Sequence, residues 1–151
     1  MANTYVKIYL HITFHVKSRT IPMREMDLER IFAYIGGIVR DTGGIALKVG
    51  GIEDHIHILA AMPKNKTLPN FMREVKAVSS RWIKSLDPYY SFFMWQDGYA
   101  AFSISASRLQ SVIKYIDNQR EHHKVETYEN ECKKLLNAYS IEYDDKYSLC
   151  D

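Results

Sequence analysis

The stretch that decides the fold is residues 45–62, which read IALKVGGIEDHIHILAAM. Two strand-like segments, Ile45 to Ile52 and His55 to Met62, flank the short Glu53-Asp54 connection, a pattern typical of a β-hairpin. Pro63 ends the second segment because proline has no backbone N–H to donate to a neighbouring strand. The sequence therefore predicts two adjacent antiparallel strands here.

Further strand and helix patterns lie on both sides of this hairpin. Upstream, Val6 to Val16 alternates apolar and polar residues, which predicts a strand with one buried face. Downstream, Phe92 to Ser105 has a mixed pattern that indicates a strand and a loop. Apolar residues at helical spacing predict three helices, over 27–42, 68–84 and 105–123, and we expect the polar segment over 126–138 to be helical as well.

The order of these elements favours one fold class. Strand, helix, strand, strand, helix, strand is the βαββαβ order of a ferredoxin-like or RRM-like α+β fold, an antiparallel sheet with helices on one face. A further C-terminal helix carries Tyr115. We predict a single domain over residues 1–151. Since this fold hosts many unrelated functions, it leaves the chemistry open.

Composition excludes several classes of protein. Hydrophobic residues make up 46% and charged residues 25% of the chain, which is typical of a globular domain. The sequence has no apolar stretch long enough to span a membrane and no secretory leader pattern, so we expect a cytoplasmic protein with no membrane partner. The two cysteines form no CxxC pair and indicate neither a disulfide framework nor a thiolate metal site.

His55 and His57 are the first candidates for chemistry. They lie two positions apart on a predicted strand, so both imidazoles project from one face while Ile56 faces the core. Two neighbouring neutral imidazoles can ligate a metal ion. Such a short motif also occurs by chance, so an imidazole pair without a metal is the alternative.

Tyr115 and Gln119 are the second pair of candidates. The predicted helix over 105–123 has an apolar stripe of Leu109, Val112, Ile113 and Ile116. Tyr115 and Gln119 are four residues apart and lie together on a flank of this stripe, where a side chain can reach a neighbouring site. The alternative is an amphipathic tyrosine at the helix rim and a solvated glutamine.

Several motifs in a fixed order connect these residues to a known family. They are FHVKSR at 14–19, DHIHIL at 54–59, WQDGY at 95–99 with Phe102-Ser103, YIDNQ at 115–119 followed by His122-His123, and IEYD at 141–144. In this respect the chain resembles the single-tyrosine transposases of the HUH nuclease superfamily (HUH denotes histidine, hydrophobic residue, histidine). Members occur in small insertion sequences and as REP-associated transposases.

The resemblance implies an activity and a site. The activity is metal-dependent cleavage and rejoining of single-stranded DNA, that is DNA transposition, through a 5′-phosphotyrosine intermediate. It implies Tyr115 as the nucleophile and Mg²⁺ or Mn²⁺ held by His55, His57 and Gln119. The implied partners are single-stranded DNA that contains a hairpin, and a second copy of the chain in a homodimer. The two subunits of such a dimer can share an active site. Asp54 either supports a histidine or the metal, or is an ordinary turn residue.

Basic side chains predict where DNA binds. The candidates are Lys64, Lys66, Arg73, Lys76, Arg81, Lys84 and, beside the tyrosine helix, Arg120. Phosphate contacts of this kind anchor DNA without regard to sequence, but a solvated helix face has the same composition. We assign no catalytic role to His11, His15, His122 or His123.

One function of a different class remains open at this point. In this alternative, the chain has the same fold but is a catalytically inactive or domesticated module that binds single-stranded nucleic acid. Such a module binds without a metal and cleaves nothing. The joint presence of two histidines, a tyrosine and a glutamine argues against it, because binding alone does not require all four.

Overall fold

Four antiparallel strands form the sheet in the computed structural model, which describes residues 2–146 and 148–151. The strands are β1 (Tyr9–His15), β2 (Ile45–Ile52), β3 (His55–Ala61) and β4 (Ala100–Ile104), in the spatial order β2-β3-β1-β4. β3 pairs with β2 on one side and with β1 on the other, and β4 lies at the edge beside β1. The predicted α+β fold and its hairpin are confirmed.

Two helices cover one face of the sheet. They are α1 (Leu28–Asp41) and α2 (Leu68–Leu86), which pack on each other. Their apolar sides enclose the main core with Ile12 and Phe14 of β1 and Ile56 and Ile58 of β3. No helix in the described part of the chain combines the length and the apolar character that a membrane crossing requires.

The opposite face is covered by the C-terminal helices α3 (Leu109–Asp117), α4 (Gln119–His122) and α5 (Tyr128–Ala138). Two smaller apolar clusters lie beneath them, one around Leu59 and Ile116 and the other around Phe102 and Tyr128. The prediction that β1 has one buried face is therefore wrong. His11 and Thr13, on its supposedly exposed face, are buried because the chain returns over them.

The first strand is also shorter than predicted. Val6 and Ile8 continue the alternating pattern but are 40% and 51% exposed, and β1 begins only at Tyr9. Tyr9 pairs with Ala61 at the end of β3 and with Ile104 at the end of β4. Both neighbouring strands stop at this level, so regular pairing ends here, although Ile8 O still accepts a hydrogen bond from Met62 N at 2.9 Å.

The predicted helix over 105–123 is divided in the structure. A 3₁₀ turn at Ala106–Arg108 leads into α3, which ends at Asp117, and α4 begins at Gln119. Between them Asn118 has φ −93° and ψ 15°, outside the α-helical region. Asparagine is a weak helix former because its amide competes for backbone hydrogen bonds. The prediction of one continuous helix is wrong, and Tyr115 and Gln119 belong to successive helices.

Candidate active site

The structure brings together all four residues predicted to form the site, within one chain. β3 directs His55 and His57 toward the C-terminal helices, and both side chains are fully buried. Gln119, at the start of α4, is 1% exposed, and its Oε1 lies 2.7 Å from His55 Nε2. The ring of Tyr115 meets that of His57 edge-on at 5.8 Å between centroids.

A fifth residue, Glu131 of α5, lies at the centre of this cluster. Its side chain is buried, and its Oε1 faces the imidazoles. This oxygen is 3.2 Å from His57 Nε2, 3.6 Å from His55 Nε2 and 3.0 Å from His123 Nε2. The helix that contributes Glu131 is thus part of the site and closes it from the side opposite the sheet.

The other oxygen of Glu131 faces the tyrosine. Oε2 accepts hydrogen bonds from the Tyr115 hydroxyl and, at 2.9 Å, from Gln119 Nε2. Burial and the adjacent negative charge of Glu131 raise the pKa of the Tyr115 phenol well above its ordinary value. Burial opposes ionisation of Glu131 itself, but hydrogen bonds from His57, Tyr115 and Gln119 hold the pKa of its carboxyl well below its usual range.

Each histidine of the pair has a second partner at its other ring nitrogen. His55 Nδ1 lies 2.7 Å from Asp54 Oδ1, and His57 Nδ1 lies 2.8 Å from His11 Nε2. A neutral ring that donates to Glu131 carries its proton on Nε2. A metal at Nε2 would instead require the proton on Nδ1, where these partners can accept its hydrogen bond. The two contacts therefore orient both rings with Nε2 toward Glu131.

The electrostatics of these groups suit metal ligation. Burial lowers the pKa of His57 to about 4 and, together with the nearby His57, that of His11 to about 3. Both are then neutral near pH 7, so His57 has a lone pair for a metal and His11 can accept a hydrogen bond from it. Burial opposes the charge of Asp54, but His15 and His55 hold the pKa of its carboxyl well below the usual range.

The spacing of the donor atoms also fits a cation. Ligand atoms of His55, His57 and Glu131 all lie within 4.8 Å of one another, and those of His122, His123 and Glu131 form an overlapping group. Imidazole nitrogens with amide and carboxylate oxygens are a donor set that Mn²⁺ accepts readily and that Mg²⁺ accepts through its oxygens. The residues present therefore fit the divalent metal that the sequence predicts.

Two surface clefts reach Tyr115. One, of about 460 Å³, is lined by Ser111, Lys114 and His122 among others; the second, of about 430 Å³, includes Arg108 and Tyr139. Tyr115, which is half-buried, lines both clefts together with Ser111. The exposed side chains of Arg108 and Lys114 place positive charge in these clefts beside Tyr115.

The basic residues predicted to bind DNA lie elsewhere. Most belong to or precede α2, which packs on the face of the sheet opposite the imidazoles. Arg73 and Lys84 line a cleft of about 480 Å³ with Trp95 and Tyr99. Lys64 and Arg81 are exposed, whereas Lys66 pairs with Glu74 at 2.8 Å.

Lys76 and Arg120 are occupied by contacts within the chain. The Lys76 ammonium donates to the backbone carbonyls of residues 96–98, and burial lowers its pKa to about 8. Arg120 forms a two-pronged ion pair with Glu53, at 2.7 and 2.9 Å. Both side chains hold loops in place in this conformation.

Sequence reasoning missed Glu131, His11, Arg108 and Lys114. Glu131 lies in a polar helix with several acidic residues, and no local spacing distinguishes it from them. A signal was available for His11, because strand alternation places it on the face opposite the buried Ile12, as it places His55 and His57 opposite Ile56. Antiparallel pairing places Thr13 opposite His57 and brings the two histidine faces together.

Comparisons with known proteins agree with this geometry. The family model described as IS200-like transposase matches residues 4–119. The fold is similar to that of a candidate transposase of Deinococcus radiodurans R1, with a TM-score of 0.60, 20% identity, and coverage of 79% of this chain and 96% of the other. No curated protein matches the chain.

A second solved structure is a REP-associated tyrosine transposase bound to a REP hairpin. The likeness has a TM-score of 0.56 and 15% identity, and covers 82% of this chain and 73% of the other. At such identities the two structures show a shared fold. The family match goes further, because it spans most of the chain and includes His55, His57, Tyr115 and Gln119. The chain therefore belongs to the family of IS200-like transposases.

Proposed function

We propose that this protein is a metal-dependent endonuclease and strand transferase that acts on single-stranded DNA through a 5′-phosphotyrosine intermediate. The observation that carries the proposal is the meeting of the Tyr115 hydroxyl and the His55-His57 pair around Glu131 and Gln119. A nucleophile beside a cluster of metal-ligating groups is the arrangement that phosphoryl transfer requires. Family membership adds DNA transposition as the biological setting.

The reaction is a transesterification at one DNA phosphate. The Tyr115 phenol loses its proton and its oxygen forms a bond to phosphorus, while the bond to the 3′ oxygen breaks and that oxygen takes up a proton. The products are a 5′-phosphotyrosine and a 3′-hydroxyl end. The phosphodiester energy is kept in the covalent link, so a 3′-hydroxyl can reverse the reaction without ATP. We assign the nucleophile to Tyr115 because two surface clefts reach its ring.

His55, His57 and Gln119 would hold a divalent cation, Mg²⁺ or Mn²⁺. When bound, such a cation neutralises charge on the scissile phosphate and stabilises the leaving oxygen. The neutral state of His57 and the contact between Gln119 Oε1 and His55 Nε2 support this assignment. In our proposal Asp54 orients the His55 ring through Nδ1.

The substrate we propose is a single strand that contains a hairpin. One structural neighbour is bound to a REP hairpin, and the family transposes DNA. We place the strand to be cut along the clefts beside Tyr115, with Arg108 and Lys114 on its phosphates. The cleft of Arg73 and Lys84, with Trp95 and Tyr99, is our candidate for flanking DNA.

We propose that each subunit of a cytoplasmic homodimer uses its own tyrosine. One chain of residues 1–151, acting as one domain, supplies both the phenol and the imidazoles. Sharing of the site between subunits would instead require α3 to leave the position it has here.

The test is formation of a covalent adduct with a labelled single-stranded hairpin oligonucleotide in Mg²⁺ or Mn²⁺. We expect the wild-type protein to form an adduct that resists denaturation, and Tyr115→Phe to form none while it still binds the oligonucleotide. Tyr139→Phe is the matched control, because Tyr139 lines one of the same clefts and its hydroxyl donates to Ser103 O.

Two results would contradict the proposal. A normal adduct with Tyr115→Phe would remove Tyr115 from its role. Binding by the wild-type protein without any adduct in either metal would favour the inactive nucleic-acid-binding module instead.

A further inference from the structure

Glu131 is a buried charged residue of the site to which the proposed function assigns no chemical role. Its side chain is 2% exposed and contacts both histidines, the glutamine and the tyrosine of the site. It lies twelve residues beyond Gln119, where the match to the family model ends. Its role therefore has to be worked out from this chain.

We infer that Glu131 is a fourth protein ligand of the divalent cation, and that its second oxygen positions the Tyr115 hydroxyl beside that cation. This inference rests on the proposed function. It assigns a direct role in the site to α5, the helix that carries Glu131.

Distances between donor atoms are the first argument. Two ligands about 2.1 Å from a cation and at right angles to each other are about 3 Å apart. Glu131 Oε1 is 3.2 Å from His57 Nε2 and 3.6 Å from His55 Nε2, and Gln119 Oε1 is 2.7 Å from His55 Nε2. Small adjustments of these side chains would convert their mutual contacts into contacts with one shared ion.

Charge is the second argument. Two neutral imidazoles and an amide leave the two positive charges of the cation uncompensated in a buried site, which is costly. Mg²⁺ and Mn²⁺ prefer carboxylate ligands, and Glu131 brings a carboxylate oxygen within 3.6 Å of both imidazole Nε2 atoms. It supplies a negative charge where burial makes that charge most effective.

The third argument is that the two carboxylate oxygens of Glu131 contact different groups. Oε1 faces His55 and His57, and Oε2 accepts from Tyr115 and Gln119. A cation bound at Oε1 leaves Oε2 free to keep the phenol hydroxyl in place. One side chain would then set the distance between the nucleophile and the metal.

Metal affinity of the full chain without DNA tests the inference. Titration with Mn²⁺, followed by calorimetry, compares the wild-type protein with Glu131→Gln, which keeps the shape and removes the charge. We expect the affinity of Glu131→Gln for Mn²⁺ to be about 10- to 100-fold lower than that of the wild-type protein. Removal of a residue that only hydrogen-bonds to a metal ligand typically costs this much, so loss of a ligand should cost at least as much. Glu131→Asp keeps the charge and should recover part of the affinity.

Glu129→Gln is the matched control, since it makes the same change in the first turn of the same helix. Its affinity for Mn²⁺ should equal that of the wild-type protein. Circular dichroism and thermal melting of each variant show whether it is folded, and only folded variants enter the comparison.

The outcomes separate this inference from the proposed function. Equal Mn²⁺ affinity of folded Glu131→Gln and wild type would overturn the ligand role of Glu131 and leave the proposed function standing. A wild-type protein that binds no Mn²⁺ and forms no adduct would overturn both. If Glu131→Ala were also folded and bound Mn²⁺ normally, Glu131 would only satisfy the polar atoms of the imidazoles.

Discussion

The Tyr115 hydroxyl donates a hydrogen bond to Glu131 Oε2, and this contact joins the third and fifth helices over the buried imidazoles. It places the proposed nucleophile on the same carboxylate that lies 3.2 Å from His57 Nε2. The contact also keeps the phenol protonated, because a phenolate would face the negative charge of Glu131. Reactivity of Tyr115 therefore depends on how readily that proton is lost.

The raised pKa of Tyr115 predicts the pH dependence of cleavage. A group whose pKa lies above the working pH is mostly protonated, so its reactive anion increases about tenfold for each pH unit. We expect the single-turnover rate of adduct formation in Mn²⁺ to rise with pH throughout the range from about 6.5 to 9. A rate that is constant or falls over this range, with DNA binding unchanged, would contradict a protonated phenol as the resting state.

Asp54 should support metal binding through His55. Its Oδ1 lies 2.7 Å from His55 Nδ1, so Asp54→Ala removes the group that holds the ring with Nε2 toward the site. We expect Mn²⁺ affinity to fall by about tenfold, measured by calorimetry. Asp97→Ala, at an exposed aspartate whose partner is Lys17, is the control and should bind Mn²⁺ normally. Unchanged affinity in Asp54→Ala would make Asp54 an ordinary turn residue.

Gly50 allows the tyrosine helix to lie close to the sheet. A Cβ at this position would be 2.7 Å from Ile116 Cγ2 and 3.3 Å from Ile116 O. Gly50→Ala should therefore push α3 outward, lower the free energy of unfolding by about 1–3 kcal/mol, and slow adduct formation because Tyr115 precedes Ile116.

Gly37→Ala is the control for this effect. Its Cβ would meet only Arg40 Nη2, at 3.9 Å, and it lies inside α1, so it should be neutral or stabilise the protein by up to about 1 kcal/mol. Urea unfolding measures both variants. Equal stability and equal adduct rates for Gly50→Ala and wild type would show that α3 does not depend on this close approach.

Arg108 and Lys114 should contribute to binding of the single strand. The double variant Arg108→Ala/Lys114→Ala removes two charges beside Tyr115. If both contact phosphates, the slope of log affinity against log salt concentration should decrease in magnitude by about 1.4. Fluorescence anisotropy at several salt concentrations, with an unpaired oligonucleotide, measures this slope.

The matched comparison is Arg73→Ala/Lys84→Ala on the opposite face of the protein. It removes the same charge, so a general loss of electrostatic attraction would lower both affinities alike. A lower adduct rate at saturating DNA only in the Arg108 and Lys114 variant would place the reacting strand beside Tyr115. The reverse result would place it along α2.

Local sequence patterns were sufficient to predict most of the fold and part of the candidate site. Alternation along β3 correctly placed His55 and His57 on one face, because strand geometry depends only on neighbouring residues. The apolar stripe of α3 correctly left Tyr115 at its flank. The same reasoning was wrong at Asn118, where the helix is interrupted, and at His11 and Thr13, whose burial depends on helices far along the chain.

The amino-acid sequence alone determined the order of strands and helices, the imidazole pair and the family of this protein, since each of these depends on patterns within short segments. Only the tertiary structure decided that Glu131 enters the site, that His11 orients His57, and that one chain brings the tyrosine to the histidines. These contacts join residues 16 to 74 positions apart. They depend on how the C-terminal helices pack across the sheet, which no local spacing encodes.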